Sequence, residues 1–290
     1  MLATNERQST SRSFAGGAEE RAPDAFGPAR RLTVALLLVM ATQAVTGLLF
    51  ADAYRDVEWV RATWFGNDWA TLVIATPLLA LALVRSGAGC VQGLLLWLGL
   101  VGYSLYNYAF YLFGAALNAF FPIYVAGVVS AGAVLILLLS HIDPRRVAAR
   151  FRSTTPVRLI GAALVFIAIG LSLVWIAIWA GYVFAGRPTP IEPEAFKLVA
   201  ALDLSLMVPA LMAGGVLVWK RRPWGFVIAT IASIQGALYL LVLSINTVVL
   251  IQRGMSGAPG ELPIWGPLTL FTGLVALLLL TNIRSERTGL

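Results

Sequence analysis

The 290-residue sequence holds one cysteine, Cys90, one histidine, His141, and two lysines, Lys197 and Lys220. A single thiol cannot close an intramolecular disulfide. One histidine cannot supply a bis-histidine haem or a histidine-rich metal centre, so no metal and no cofactor are expected. The two lysines flank one apolar run, leaving none inside a span to carry a Schiff base. GxSxG, P-loop and HExxH patterns are missing, and the segments between apolar runs are too short for a soluble catalytic domain. No catalytic set is legible.

Charge is scarce as well. Charged residues make up 12% and hydrophobic residues 59%, with mean hydropathy +0.83, against about 25% and roughly 45–50% in soluble domains. This is the composition of an all-α, polytopic integral membrane protein. The pI near 10.0 would suggest nucleic acid if the basic residues formed a groove. They fall instead in short clusters between apolar runs, which is a topology signal and excludes nucleic acid as the expected partner. The partner expected first is the lipid bilayer.

What is present is a series of apolar runs. Residues 1–30 are polar and rich in Gly, Ala and Pro, so a disordered tail is expected there. The polar lead is too long for a cleaved signal peptide. A transmembrane domain is expected over 31–285, followed by a short tail at 286–290. With about 20 apolar residues needed per crossing, eight helices can be placed, near 31–51, 69–85, 90–113, 120–140, 157–185, 198–219, 225–251 and 263–283. Sixteen Lys and Arg fall on one side of this arrangement and five on the other, which predicts both termini in the cytoplasm. The general character is that of small polytopic proteins of bacterial inner membranes.

The pattern also suggests a 4+4 parallel internal repeat. Pro122, Ile123, Tyr124, Gly132 and Val134 match Pro263, Ile264, Trp265, Gly273 and Val275 at one constant offset. Pro77 and Pro209, the predicted helix kinks, sit in the second and sixth helices, each with an aspartate further out, Asp68 and Asp203. Repeats of this kind place a site at their interface, and mid-helix prolines free carbonyls that can line it. Proline is also simply commoner in membrane helices than in soluble ones.

Polar residues inside the spans single out a candidate binding site. From the 1.5 Å rise per residue, Tyr103 and Tyr239 lie near the midplane, Asn107 and Asp203 roughly 7–8 Å outward and Asn246 roughly 10–12 Å outward. Tyr103, Asn107 and Tyr111 share one helical stripe, and Gln235, Tyr239 and Asn246 another. Tyr106 lies deep beside the first. An ionised aspartate at such depth must face inward and find partners. Tyr108, Tyr111, Trp59, Trp64, Trp69, Tyr182 and Trp265 are expected to form the interfacial aromatic belt.

Three functions follow. Asp203, Asn107, Tyr103, Tyr106, Tyr239, Asn246 and Gln235 could line an outward-facing pocket for a small cationic or amine solute, through charge pairing and cation–π contact. Alternatively, the polar stripes are interhelical glue in a structural, assembly or sensory protein. The third is an intramembrane enzyme on a lipid-borne substrate, with Asp203 as acid or base. A water-accessible cavity reaching Asp203 would separate the first from the second.

Overall fold

A computed structural model of the chain describes residues 26–87, 90–255 and 262–284. Most of the expected N-terminal tail, the C-terminal tail and the last inter-helix break lie outside the described residues. Among the described residues every regular element is helical.

The chain runs through α1 (Gly27–Leu49), a short 3-10 turn, and a long helix formed by α2 (Glu58–Ala70), a π-helical turn (Thr71–Ala75) and α3 (Thr76–Gly87). Next come α4 (Val91–Gly114), α5 (Phe121–His141) and the short α6 (Pro144–Arg150). The remainder is α7 (Val157–Ala185), a second broken helix of α8 (Pro193–Leu202), a π turn (Asp203–Met207) and α9 (Val208–Trp219), then α10 (Pro223–Gln252) and α11 (Leu262–Thr281). Among the described residues seven helices are long and apolar enough to cross a membrane, with Glu58–Gly87 and Pro193–Trp219 each counting as one. In hydrocarbon the helix satisfies every backbone group within the segment, so long apolar runs adopt it. Prolines fill the first turn of α5, α6, α8 and α10, where no N–H is required.

α4 is 24 residues long but is not among the seven spans. Its tyrosines and Asn107 lower its hydropathy, and it is the helix that the others enclose, with fifteen of its residues buried. α4 and α10 lie side by side at the centre. α4 is flanked by α3 and α5, and α10 by α9 and α11. α10 also packs on α2, and α4 on α8. α1 covers α2, α3 and α5, and α7 covers α9.

Two differences from the sequence reading follow from the broken helices. The second helix begins at Glu58, not near residue 69, and the sixth at Pro193, not near 198. The charged and polar residues of "EWVRATWFGND" did not interrupt the helix because Trp64, Asn67 and Asp68 turn inward and are buried. Because each helix starts further out, both aspartates sit nearer its middle: Asp68 is about 7 Å and Asp203 about 4–5 Å from the helix centre.

The π turns have a shared cause. Pro77 and Pro209 each follow the π turn by two residues, and each lacks the N–H that an α-helix would donate four residues back. The helix instead bonds Thr76 N–H to Thr71 O, and Val208 N–H to Asp203 O, across one extra residue. Such single-turn bulges concentrate at functional sites.

Candidate functional site

Asp68 and Asp203 are both 0% exposed. Each is held by a different set of donors. Asp203 opens the second π turn, where Tyr106 of α4 donates its hydroxyl to Oδ1 at 2.6 Å and Trp175 of α7 donates Nε1–H to Oδ2 at 2.9 Å. Tyr239 of α10 closes this group edge-on to Tyr106, ring centroids 5.1 Å apart. Four separate helices thus converge on one carboxylate.

Asp68 lies one turn before the first π turn and takes more donors. Gln43 of α1 donates Nε2–H to Oδ1 at 2.8 Å, Tyr111 of α4 donates to the same oxygen at 2.6 Å, and Tyr54 donates to Oδ2 at 2.7 Å. Gln43 also donates to the Tyr54 hydroxyl at 3.0 Å. Burial and the neighbouring Asp68 carboxylate push the Tyr54 phenol far above its ordinary range, so it remains a donor. Aromatic rings wall the group in. Tyr111 stacks between Trp64 and Tyr124, with centroids at 4.6 and 5.0 Å. Gly47 leaves the space, since a methyl there would run into Asp68 Oδ2 and the Tyr54 hydroxyl.

Beside Asp68 runs a polar ladder from α2 and the first π turn to α4. Asn67 donates Nδ2–H to Asn107 Oδ1 at 3.0 Å. One turn inward Tyr103 faces Thr71 without closing a hydrogen bond to it. Several buried polar atoms here have no protein partner: Gln43 Oε1, Asn67 Oδ1, Thr71 Oγ1, Tyr103 Oη, Asn107 Nδ2 and Asn246 Oδ1. Asn246 reaches this group from α10, with its side-chain oxygen against Gly66. Gln235 is buried beside Gly102 of α4.

The residues singled out in the sequence are therefore brought inward, but into two groups. Asp203, Tyr106 and Tyr239 meet on one side of α4. Tyr103, Asn107 and Asn246 join Asn67 and Thr71 on the other, while Gln235 lies between α4 and α10. Neither the surface groove beside Pro122 and Ile123 nor that beside Arg158 and Lys220 touches Asp203.

Three of the aromatic residues assigned to the belt belong to the core. Tyr108, Tyr111 and Trp64 are buried, whereas Trp69 and Tyr182 are exposed as the belt requires. Their places near helix ends suggested an interface, but Asp68 draws Tyr111 inward and the stacked rings follow it. Gln43, Tyr54 and Trp175 were missed. Gln43 is the only amide in the first apolar run, and Trp175 sits well inside the fifth, too deep for headgroups. Both signals were present.

Fold and site together define a multi-pass helical membrane protein with a buried polar core. No family model matches the chain, and no curated protein or solved structure matches it either.

Proposed function

We propose that the protein binds or transports a small cationic or amine solute across a cell membrane, with the polar core around Asp203 and Asp68 as its occluded site. The observation that carries this reading is the set of buried polar atoms without protein partners beside Asp68, with a second desolvated carboxylate, Asp203, across α4. Each such group costs about 1–3 kcal/mol. A core built only for packing gains nothing from leaving oxygens of Gln43, Asn67, Thr71, Tyr103 and Asn246 unpaired. A cation or ammonium group is the occupant that these oxygens and a buried carboxylate favour.

In this reading α4 is an eighth span, both termini face the cytoplasm, and the membrane is a bacterial inner membrane. The chain is two parallel four-helix repeats, with α4 and α10 as counterparts and the two π-bulged helices as counterparts. Support comes from the like register of the π turns: each begins six residues before its proline. In that register Asp203 matches Thr71, and Asp68 falls three residues earlier, so the carboxylates occupy neighbouring turns of equivalent helices. Because the side chains are enclosed, entry requires the bulged helices to move, and a broken helix near the midplane is suited to that.

The structural alternative draws support from two observations: both Asp203 oxygens already have donors, and neither surface groove described above reaches Asp203. A carboxylate dyad on a lipid substrate is disfavoured, since α4 stands between the two aspartates. Uptake of labelled methylammonium into proteoliposomes under an imposed membrane potential tests the proposal. Saturable uptake that exceeds protein-free vesicles supports it; uptake no faster than in protein-free vesicles, for methylammonium and for tetramethylammonium alike, would leave the structural reading in its place.

A further inference from the structure

At the membrane face where α9 turns into α10, the start of α7 and the end of α9 enclose a groove of about 630 Å³. Its charged lining is Arg158, Lys220 and Arg221, with Thr155 and Trp219 beside them. All three basic side chains are exposed, and among the described residues no carboxylate pairs with any of them. Trp219, 48% exposed, presents its indole at the level of the interface.

Arg221 is the unusual member. α9 ends in a Schellman motif, with Arg222 N–H donating to Leu217 O at 2.9 Å and Arg221 N–H to Val218 O at 2.9 Å. The motif places Arg221 at φ 51°, the only non-glycine residue with positive φ among the described residues. Glycine is the usual occupant there. A general excess of basic residues on one face needs only charge somewhere nearby. Arginine in a position that suits glycine points to the side chain itself. Its guanidinium donates to Ser153 O at 3.2 Å and reaches Thr155 O at 3.5 Å, joining the α6–α7 connection to the α9–α10 turn. This contact fixes the charge at the groove and leaves its other N–H groups available.

We propose that this groove binds a phosphate group, with Arg158, Lys220 and Arg221 as its ligands. The site is separate from the polar core. A phosphate ester is the matching chemistry: guanidinium groups bind its oxygens in pairs, and an ammonium adds point charge. Two sources carry it, the headgroup of an anionic lipid and a free phosphate in solution. Basic pockets between membrane helices at the interface bind lipid headgroups in this way.

The experiment uses the full chain in nanodiscs and reads its melting temperature. One arm compares phosphatidylcholine discs with discs containing phosphatidylglycerol; the other adds inorganic phosphate to phosphatidylcholine discs. Arg221→Gly is the decisive variant, because glycine suits φ 51° and keeps the turn while the guanidinium and its bonds to Ser153 O and Thr155 O are lost, so each variant's rise is read against its own melting temperature in phosphatidylcholine. Arg145→Gln, which removes one charge from the same face outside the groove, is the control. The expected result is a rise in melting temperature of several degrees with phosphatidylglycerol, largely lost in Arg221→Gly and kept in Arg145→Gln. A rise with inorganic phosphate that the same variant abolishes would also support the site, and would assign its ligand to solution. No rise with either probe, or a rise that Arg221→Gly retains in full, overturns the proposal.

Discussion

Tyr106 and Tyr111 lie five residues apart on α4, and each donates its hydroxyl at 2.6 Å to a different buried aspartate. Five residues turn the helix by about 140°, so the two hydroxyls leave on nearly opposite faces. α4 is thus a septum with a carboxylate on each side, Asp203 among α7, α8–α9 and α10, and Asp68 among α1, α2 and the Tyr54 turn. Removing one hydroxyl should leave the other site intact. Tyr106→Phe and Tyr111→Phe are therefore expected to be additive in unfolding free energy, each costing about 1.5–3 kcal/mol as the loss of a hydrogen bond to a charged group. Denaturation of the single and double variants in detergent measures this.

Asp68 accepts three hydrogen bonds and Asp203 two. An asparagine offers one acceptor oxygen and turns an N–H toward the remaining donors. Gln43 and Tyr111 share one Asp68 oxygen, so an asparagine oxygen there keeps both and only Tyr54 faces the amide, as only one donor does at Asp203. Asp68→Asn should then lower the melting temperature no more than Asp203→Asn. Parallel thermal scans of the two variants check this.

Gly47 and Gly236 give opposite expectations for the same substitution. A methyl at Gly47 meets Asp68 and Tyr54, while one at Gly236 meets nothing within 4 Å. Gly47→Ala is expected to destabilise by about 1–3 kcal/mol, the usual cost of overpacking. Gly236→Ala should be neutral or gain up to about 1 kcal/mol from helix propensity. Unfolding measurements on both variants read the difference.

Much of this arrangement was legible in the residues. The membrane class came from composition, because soluble domains typically carry about 25% charged residues where this chain has 12%. Asp203 stood out because a carboxylate deep in a span has to be inside. The inward stripe of Tyr103 and Asn107 was visible at helical spacing, and α2 answers it with Asn67 and Thr71 at the same spacing. What the residues could not show was which helices are neighbours. Tyr111 and Trp64 read as belt residues because depth alone places them near an interface, and only the side-chain contacts from α2 to α4 reveal the stacked rings and the Asp68 carboxylate that Tyr111 reaches. The single pocket anticipated from depth is divided for the same reason: depth says how far out a residue lies, not on which side of α4 it points. The π turns were hidden too, although Pro77 and Pro209 marked their positions.

Those prolines carry a further expectation. Pro209→Ala restores the N–H that an unbroken α-helix needs, removes the extra residue from the turn and rotates Asp203 relative to α9 by roughly 100°. The variant should fold, since alanine suits a helix, yet lose most methylammonium uptake. Retained uptake alongside a regularised helix would show that the bulge plays no part in the site. Uptake and circular dichroism on one preparation are sufficient.

The most direct test compares Asp203→Asn with the parent in two readouts on one preparation: methylammonium uptake into proteoliposomes, and melting temperature in the same lipid. The occluded-site account predicts that uptake falls at least tenfold while the melting temperature drops by only a few degrees, as suits one lost hydrogen bond. Unchanged uptake, or a loss of uptake matched by collapse of the fold, would contradict it.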